Sequence, residues 1–178
     1  EQIGAKKKQS YRHFKGLATI LSPGQAKQLK KVLGKSARVI KDDYQQMIPP
    51  PKDRLANPAG KPQPPGDESG PQVVPWGIAA VRAPQAWEYS KGAGALVCIV
   101  DSGIDGGHPD IAANVLTGTN YVDDHYSWDQ DRNGHGTHVA GIVAALDNEI
   151  GVVGVAPEAS LIISRVLDNR GTGTCGEI

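Results

Sequence analysis

Apolar positions fall into two regimes on either side of a proline-rich stretch. In the first they are sparse. Residues 11–21 have strand character, with Phe14, Leu17, Ile20 and Leu21 supplying the apolar positions. Ser22-Pro23-Gly24-Gln25 then predicts a helix start, with a serine cap, proline in the first turn and glutamine three residues after the cap. Ala26, Leu29, Val32 and Leu33 follow on one helical face, and Gly34 suits the stop. Ala37-Arg38-Val39-Ile40 reads as a second strand, while residues 1–10, with Lys6-Lys7-Lys8, read as a solvated end. The pattern predicts a strand–helix–strand unit over residues 11–47, too short to bury much surface by itself.

Beyond residue 71 the apolar runs are denser. Residues 83–87 read as a short helix with Pro84 in its first turn and Trp87 turned to the core. Leu96-Val97-Cys98-Ile99-Val100 predicts a buried strand ending at Asp101-Ser102-Gly103, with Cys98 acting as a small buried hydrophobe. A further strand is expected around Asn120-Tyr121-Val122. The run from 139 to 146 reads as a buried helix, because Ala140, Gly141, Ala144 and Ala145 permit close packing; His135 lies at or just before its start. Residues 146–152 interrupt that helix, and Leu161-Ile162-Ile163-Ser164-Arg165-Val166-Leu167 predicts a second buried strand. Strands alternating with helices indicate the α/β class.

Residues 49–71 between the two regimes hold Pro49-Pro50-Pro51, Pro58, Pro62, Pro64-Pro65-Gly66 and Gly70-Pro71. This composition describes an extended, partly stiff linker; a polyproline ligand for another domain is the alternative. Such a segment is open to proteolysis, so maturation cleavage is expected within or just after it, though not directly before Pro71.

Net charge changes the picture little as a total and more as a distribution. The 178 residues sum to zero, yet residues 1–70 hold 14 Lys and Arg against 6 Asp and Glu, a net of +8, and residues 71–178 carry −8. A basic arm can indicate nucleic acid, but the acidic half of the same chain is the nearer partner, and neither nucleic acid nor a membrane is expected. No apolar run approaches the roughly 20 residues of a membrane helix. Without a signal peptide or initiator Met, the N-terminus is expected to be trimmed or incomplete. Two cysteines make no disulfide scaffold, and a strand-centre position for Cys98 disfavours a bridge to Cys175.

The chemistry concentrates at two places. Asn133-Gly134-His135-Gly136-Thr137-His138-Val139-Ala140-Gly141 sets a histidine, the side chain suited to proton transfer near neutral pH, between two glycines. Asp101 closes a predicted strand, where open α/β sheets gather their active sites, and an aspartate can orient a histidine and stabilise its imidazolium. Taken singly, Asp101 reads equally as a turn residue and His135 as a loop anchor.

Together with Val100-Asp101-Ser102-Gly103-Ile104, His108-Pro109-Asp110, Gly151-Val152-Val153-Gly154-Val155-Ala156-Pro157 and Val166-Leu167, the nine-residue stretch resembles the subtilisin-like serine proteases from about Gln72 onward. The resemblance implies the first part of a doubly wound, mainly parallel sheet, with Asp101 as orienting acid and His135 as general base. The family's serine lies in a G-T-S-M-A-like motif, and none occurs in these 178 residues; nor does the oxyanion asparagine. Residues 1–48, with Phe14-Lys15-Gly16 and Ser22-Pro23, resemble that family's inhibitory propeptide, a small α+β unit; an unrelated ferredoxin-like or binding unit is the alternative. The expected organisation is thus propeptide 1–48, linker 49–71 and an incomplete catalytic domain 72–178. By resemblance a structural calcium is held by Gln72, Asp110 and Asn148 with the carbonyls of Leu146, Ile150 and Val152, and Leu167, Gly171, Thr172 and Gly173 form the substrate-binding edge.

The partners so implied are peptide or protein substrates and the chain's own propeptide, in a secreted monomeric enzyme. Three other readings fit less well. Asp129-Gln130-Asp131-Arg132-Asn133-Gly134 matches half an EF-hand loop, but its twelfth position is Ala140. His135 and His138 stand three apart, not four around a Glu as zinc peptidases require. Residues 103–107 lack the glycine order of a nucleotide loop. A non-catalytic peptide-binding or inhibitor-like member of the same fold is the functional alternative.

Overall fold

The computed structural model describes residues 6–10, 17–35, 38–41, 44–47, 71–122, 124–174 and 176. The chain divides into two compact units, Glu1–Asp43 and Tyr44–Ile178.

In the first unit β1 (Lys6–Ser10) and β2 (Leu17–Ile20) pair antiparallel, with an irregularity between Lys7 and Gln9. Residues 6–10, expected as a solvated end, are therefore a strand, since ladder pairing draws on backbone groups that every residue carries. α1 (Pro23–Leu33) starts as predicted: Gln25 N–H donates to Ser22 Oγ at 3.3 Å, and Ser22 N–H to Gln25 Oε1 at 2.8 Å. Ala26, Leu29 and Leu33 are half-buried but Val32 is 76% exposed. At 100° per residue Val32 falls on the edge of the stripe the other three define. No strand forms at residues 38–40; Ile40 is exposed, and the next strand begins only at Tyr44. Residues 11–16, 36–37 and 48–70, with the linker and Phe14, lie outside the described residues, as does Cys175.

The second unit opens with β3 (Tyr44–Gln46), then α2 (Trp76–Ala80) and α3 (Ala83–Ala86). Trp87, just after α3, is half-buried and donates its indole N–H to Val155 O at 2.9 Å. A parallel three-stranded sheet follows, β4 (Leu96–Asp101), β5 (Val115–Asn120) and β6 (Ser160–Arg165), in the order β4-β6-β5. β5 starts at Val115 and meets the stretch expected around Asn120-Tyr121-Val122 only at Asn120, its last residue; Tyr121 and Val122 already lie in a loop. α4 (His135–Ala144) crosses between β5 and β6. The last strand, β7 (Thr172–Thr174), pairs antiparallel with β3.

One face of the sheet carries the core. Ile99, Leu161 and Ile163 meet Ala140 and Ala144 of α4, with Ile104 and Ile111 from the loops after β4. Fully burying an isoleucine or leucine side chain contributes roughly 1.5–3 kcal/mol, so these few residues hold α4 against the strand ends. The opposite face is open among the described residues. Leu96 and Val100 are 64% and 48% exposed, and Cys98 between them is exposed and free. The expectation of a buried Cys98 is thus corrected: side chains alternate along β4, and Cys98 falls on the face that α4 does not cover.

Candidate active site

Two strand ends and one helix start converge. At the C-terminal end of β4, Asp101 is 8% exposed, and its carbonyl accepts the N–H groups of Val166 at 2.9 Å and Leu167 at 3.2 Å. This fixes its backbone to the chain leaving β6. Gly134, at φ +88°, turns the chain into α4 through a conformation that side chains disfavour. Gly136 packs so closely on the β4 end that an added Cβ would strike the carbonyl oxygen of Gly103. The two glycines flanking His135 therefore have different duties, one conformational and one steric, and together they lower the first turn of α4 onto Asp101.

His135 Nδ1 lies 2.8 Å from Asp101 Oδ2 and 2.9 Å from Oδ1. The carboxylate accepts, so Nδ1 carries the proton and Nε2 is left with the lone pair that a general base uses. Ser102 N–H also donates to Asp101 Oδ1 at 2.7 Å. The histidine side chain is 44% exposed and the aspartate 11%, a proton acceptor open to a reactant with its orienting acid withdrawn behind it.

Sequence reasoning missed the supports. Asp131, which the sequence presents only within half an EF-hand pattern, accepts from Ser102 Oγ (3.0 Å), Asn133 N (3.0 Å), Gly134 N (2.9 Å), Thr137 N (3.0 Å) and Thr137 Oγ1 (2.7 Å). Burial raises its pKa, but these bonds outweigh it and hold the carboxyl below its ordinary range. The available signal was an aspartate four residues ahead of a helix start. Arg165, 1% exposed, forms a two-pronged pair with Asp124 at 2.7 Å on each prong and donates from Nε to Ser102 O at 3.2 Å. The Arg165 hydrogen bonds lead the causes that lower the Asp124 pKa.

The predicted substrate edge is a neighbour of this site. Leu167, 5% exposed, is buried beside Asp101. Gly171 precedes β7, which holds Thr172 and Gly173, and Asp168 Oδ1 shapes the turn by accepting from Arg170 N (2.8 Å) and Thr172 N (2.9 Å). Asn133 Nδ2 donates to Asn169 O at 3.2 Å, tying the histidine loop to that turn. Along the edge lies β3, with Tyr44 opposite Thr174, Gln45 opposite Gly173 and Gln46 opposite Thr172. Met47 N–H continues the pairing to Gly171 O at 3.0 Å, and Gln46 Nε2 donates to Arg170 O at 2.8 Å.

The residues assigned to calcium gather elsewhere in the unit. Gln72 Nε2 is 2.6 Å from Leu146 O, 3.4 Å from Val152 O and 3.5 Å from Asn148 Oδ1. Asp110, 3% exposed, accepts Val152 N–H on Oδ2 at 3.0 Å, while its buried Oδ1 has no hydrogen-bond partner. Ile150 donates its N–H to Asn148 Oδ1 at 3.2 Å. Oxygen donors of this kind suit a hard cation. Among the described residues, no three His, Cys, Asp or Glu side chains gather to hold a metal ion, and no helix is long and apolar enough to cross a membrane.

Comparison with known proteins covers the same region. The sequence profile of the Subtilase family matches residues 92–177. The chain is 47% identical over 103 residues to "Intracellular serine protease" of Paenibacillus polymyxa, covering 56% of this chain and 32% of that protein. It is 49% identical over 100 residues to "Thermitase" of Thermoactinomyces vulgaris, covering 56% and 36%. To "Subtilisin E" of Bacillus subtilis it is 48% identical over 103 residues, covering 57% and 26%. The chain thus spans between a quarter and some two fifths of the length of the curated relatives it matches. Residues 92–177 belong to the subtilase family, the subtilisin-like serine proteases.

Proposed function

We propose that the chain is the acid-and-base part of a serine endopeptidase precursor. The observation that carries this reading is the contact of His135 Nδ1 with both oxygens of Asp101, at 2.8 and 2.9 Å. His135 Nε2 takes the proton of a serine hydroxyl as it attacks a peptide carbonyl, and later returns it to the leaving amine. Asp101 keeps the ring in the useful tautomer and stabilises the imidazolium. The serine comes from polypeptide outside these 178 residues, so this chain by itself hydrolyses nothing through a triad.

Peptide substrates pair with the Thr172–Thr174 edge as an added strand. The pairing of Tyr44–Gln46 on that edge supports a propeptide-like role for the N-terminal segment, which holds the site as a substrate would. The unpartnered Asp110 Oδ1 supports a structural calcium. Turning the Gln72 amide over brings a fourth oxygen towards those of Leu146, Asn148 and Val152. Asp110, Gln72, Asn148 and the 146–152 carbonyls would hold the ion, which would supply positive charge against the Asp110 carboxylate. Secretion follows from the resemblance alone, and one relative is intracellular by its printed name.

The test compares this chain with a longer form that includes a downstream G-T-S-type serine. Casein hydrolysis and labelling by an active-serine probe are expected only from the longer form. They are expected to vanish with His135→Ala, a loss of roughly 10⁴–10⁶ in kcat by the subtilisin example from which that magnitude comes. Undiminished hydrolysis by the His135→Ala form overturns the assignment.

A further inference from the structure

We infer that Asp131 is a positioning residue for the Asp101–His135 pair, acting through Ser102 and the first turn of α4; this rests on the reading of His135 as the base. Its two oxygens serve three separate pieces of chain. Oδ1 accepts the Ser102 hydroxyl and the N–H groups of Asn133 and Gly134, the two residues just before His135. Oδ2 accepts both the N–H and the hydroxyl of Thr137, two residues after His135. Ser102 follows Asp101 directly, and its Oγ accepts Gly136 N–H at 3.0 Å. A closed circuit results: Asp131 to Ser102, Ser102 to Gly136, and Gly136 through the helix turn to Thr137 and back to Asp131. Asp101 and His135 are each covalent neighbours of a member of this circuit.

Two further contacts stiffen it. Asp131 N–H donates to Ile104 O at 3.0 Å, and the Thr137 hydroxyl accepts Asp105 N–H at 2.9 Å. The loop after β4 and the start of α4 are therefore joined on both sides of Asp131. Neutral acceptors would make weaker bonds than this carboxylate does. Both of its oxygens accept donors from the chain, which holds the carboxylate in place. An ordinary helix cap would serve only the N–H groups of its own helix; this one also takes the hydroxyl beside Asp101.

The distinction is testable in the 178-residue chain without turnover. With ring-¹⁵N histidine, NMR reads the His135 tautomer and the rate at which its Nδ1 proton exchanges with water; loss of the signal in His135→Ala assigns it. In Asp131→Ala we expect a mixed tautomer and exchange roughly tenfold faster, at the low end for losing a hydrogen bond to a charged group. Asp131→Asn keeps an acceptor towards Ser102 and should recover part of the effect. Ser102→Ala should act in the same direction, and adding it to Asp131→Ala should change little, as expected of residues in one network; it also serves if Asp131→Ala does not fold. Asn114→Ala loosens the far end of α4, where Asn114 Nδ2 donates to Ala144 O and Pro157 O, and should leave His135 unaffected. Unchanged exchange in Asp131→Ala and Ser102→Ala, or an equal effect of Asn114→Ala, overturns the positioning role. If Asp101→Asn also leaves the Nδ1 signal untouched, the pairing of Asp101 with His135 itself fails.

Discussion

Arg165 Nε donates to the carbonyl oxygen of Ser102 from a side chain with 1% of its surface exposed. The cation thus lies directly behind the segment that bears Asp101. Its other nitrogens reach Asn120 Oδ1 at 3.1 Å and both oxygens of Asp124. One buried guanidinium therefore ties the ends of β4, β5 and β6 to the loop that leads to His135.

Replacing it should be costly. Arg165→Met leaves the Ser102 carbonyl without its side-chain donor and takes one of two donors from Asn120 Oδ1, which keeps the Val122 N–H, while Asp124, whose side chain is 22% exposed, regains water. Breaking a fully buried pair costs about 3–5 kcal/mol; the exposure of Asp124 puts the expected loss near the lower figure. Urea denaturation of the purified chain measures it, and a midpoint within error of the parent would show the pair to be idle.

Acid should weaken the fold through the same region. Asp124 and Asp131 both have lowered carboxyl pKa values. A depressed folded-state value gives stability that is fully present above the ordinary aspartate pKa and is lost as pH falls through the folded value. The melting temperature should accordingly fall on acidification below the ordinary aspartate range. In Asp131→Asn the fall should be shallower, from a lower starting point. A parallel decline in parent and variant would mean that other carboxylates govern the acid response.

Which of these features could be read from the sequence follows from how local they are. His135 with its two glycines is a contiguous signal, and Asp101 closes an apolar run, so both residues stand out in the sequence itself. The Ser22–Gln25 cap was legible for the same reason. Arg165 and Asp124 stand 41 positions apart and meet only because β6 lies between β4 and β5; no periodicity announces that. Cys98 was misread because a run of five apolar residues suggests cover on both faces, and α4 supplies it on one. β1 was missed because lysines can pair through their backbone as readily as valines.

Calcium should raise the stability of the chain if the Gln72, Asp110 and 146–152 cluster holds it. Binding to the folded state alone adds RT ln(1 + [L]/Kd), about 2.7 kcal/mol at a hundredfold excess over Kd. Asp110→Ala should remove most of the gain, since it deletes the cluster's carboxylate and the acceptor for Val152 N–H. Thermal melts with calcium and with chelator decide the matter. Identical curves would withdraw the ion and leave the buried Asp110 Oδ1 unexplained.

The pairing of Tyr44–Gln46 with Thr172–Thr174 makes a prediction about occupancy. If the edge is a peptide-binding strand held by the chain's own N-terminal segment, amide exchange at Gly173 should be slow in the intact chain and faster in a chain starting at residue 71. Adding the separate 1–70 segment should restore protection. Its association should slow at high salt, because the segment carries +8 against −8 for the rest of the chain and opposite charges act mainly on the on-rate, over a Debye length of about 8 Å at physiological salt. The backbone ladder and the Gln46 contacts to Arg170 and Thr172 are short-ranged, so protection at saturation should survive the salt. Rates indifferent to salt would end the steering argument alone. Protection at Gly173 unchanged by removing residues 1–70 would show that the edge is closed by something other than this segment, and the propeptide reading would lose its structural support.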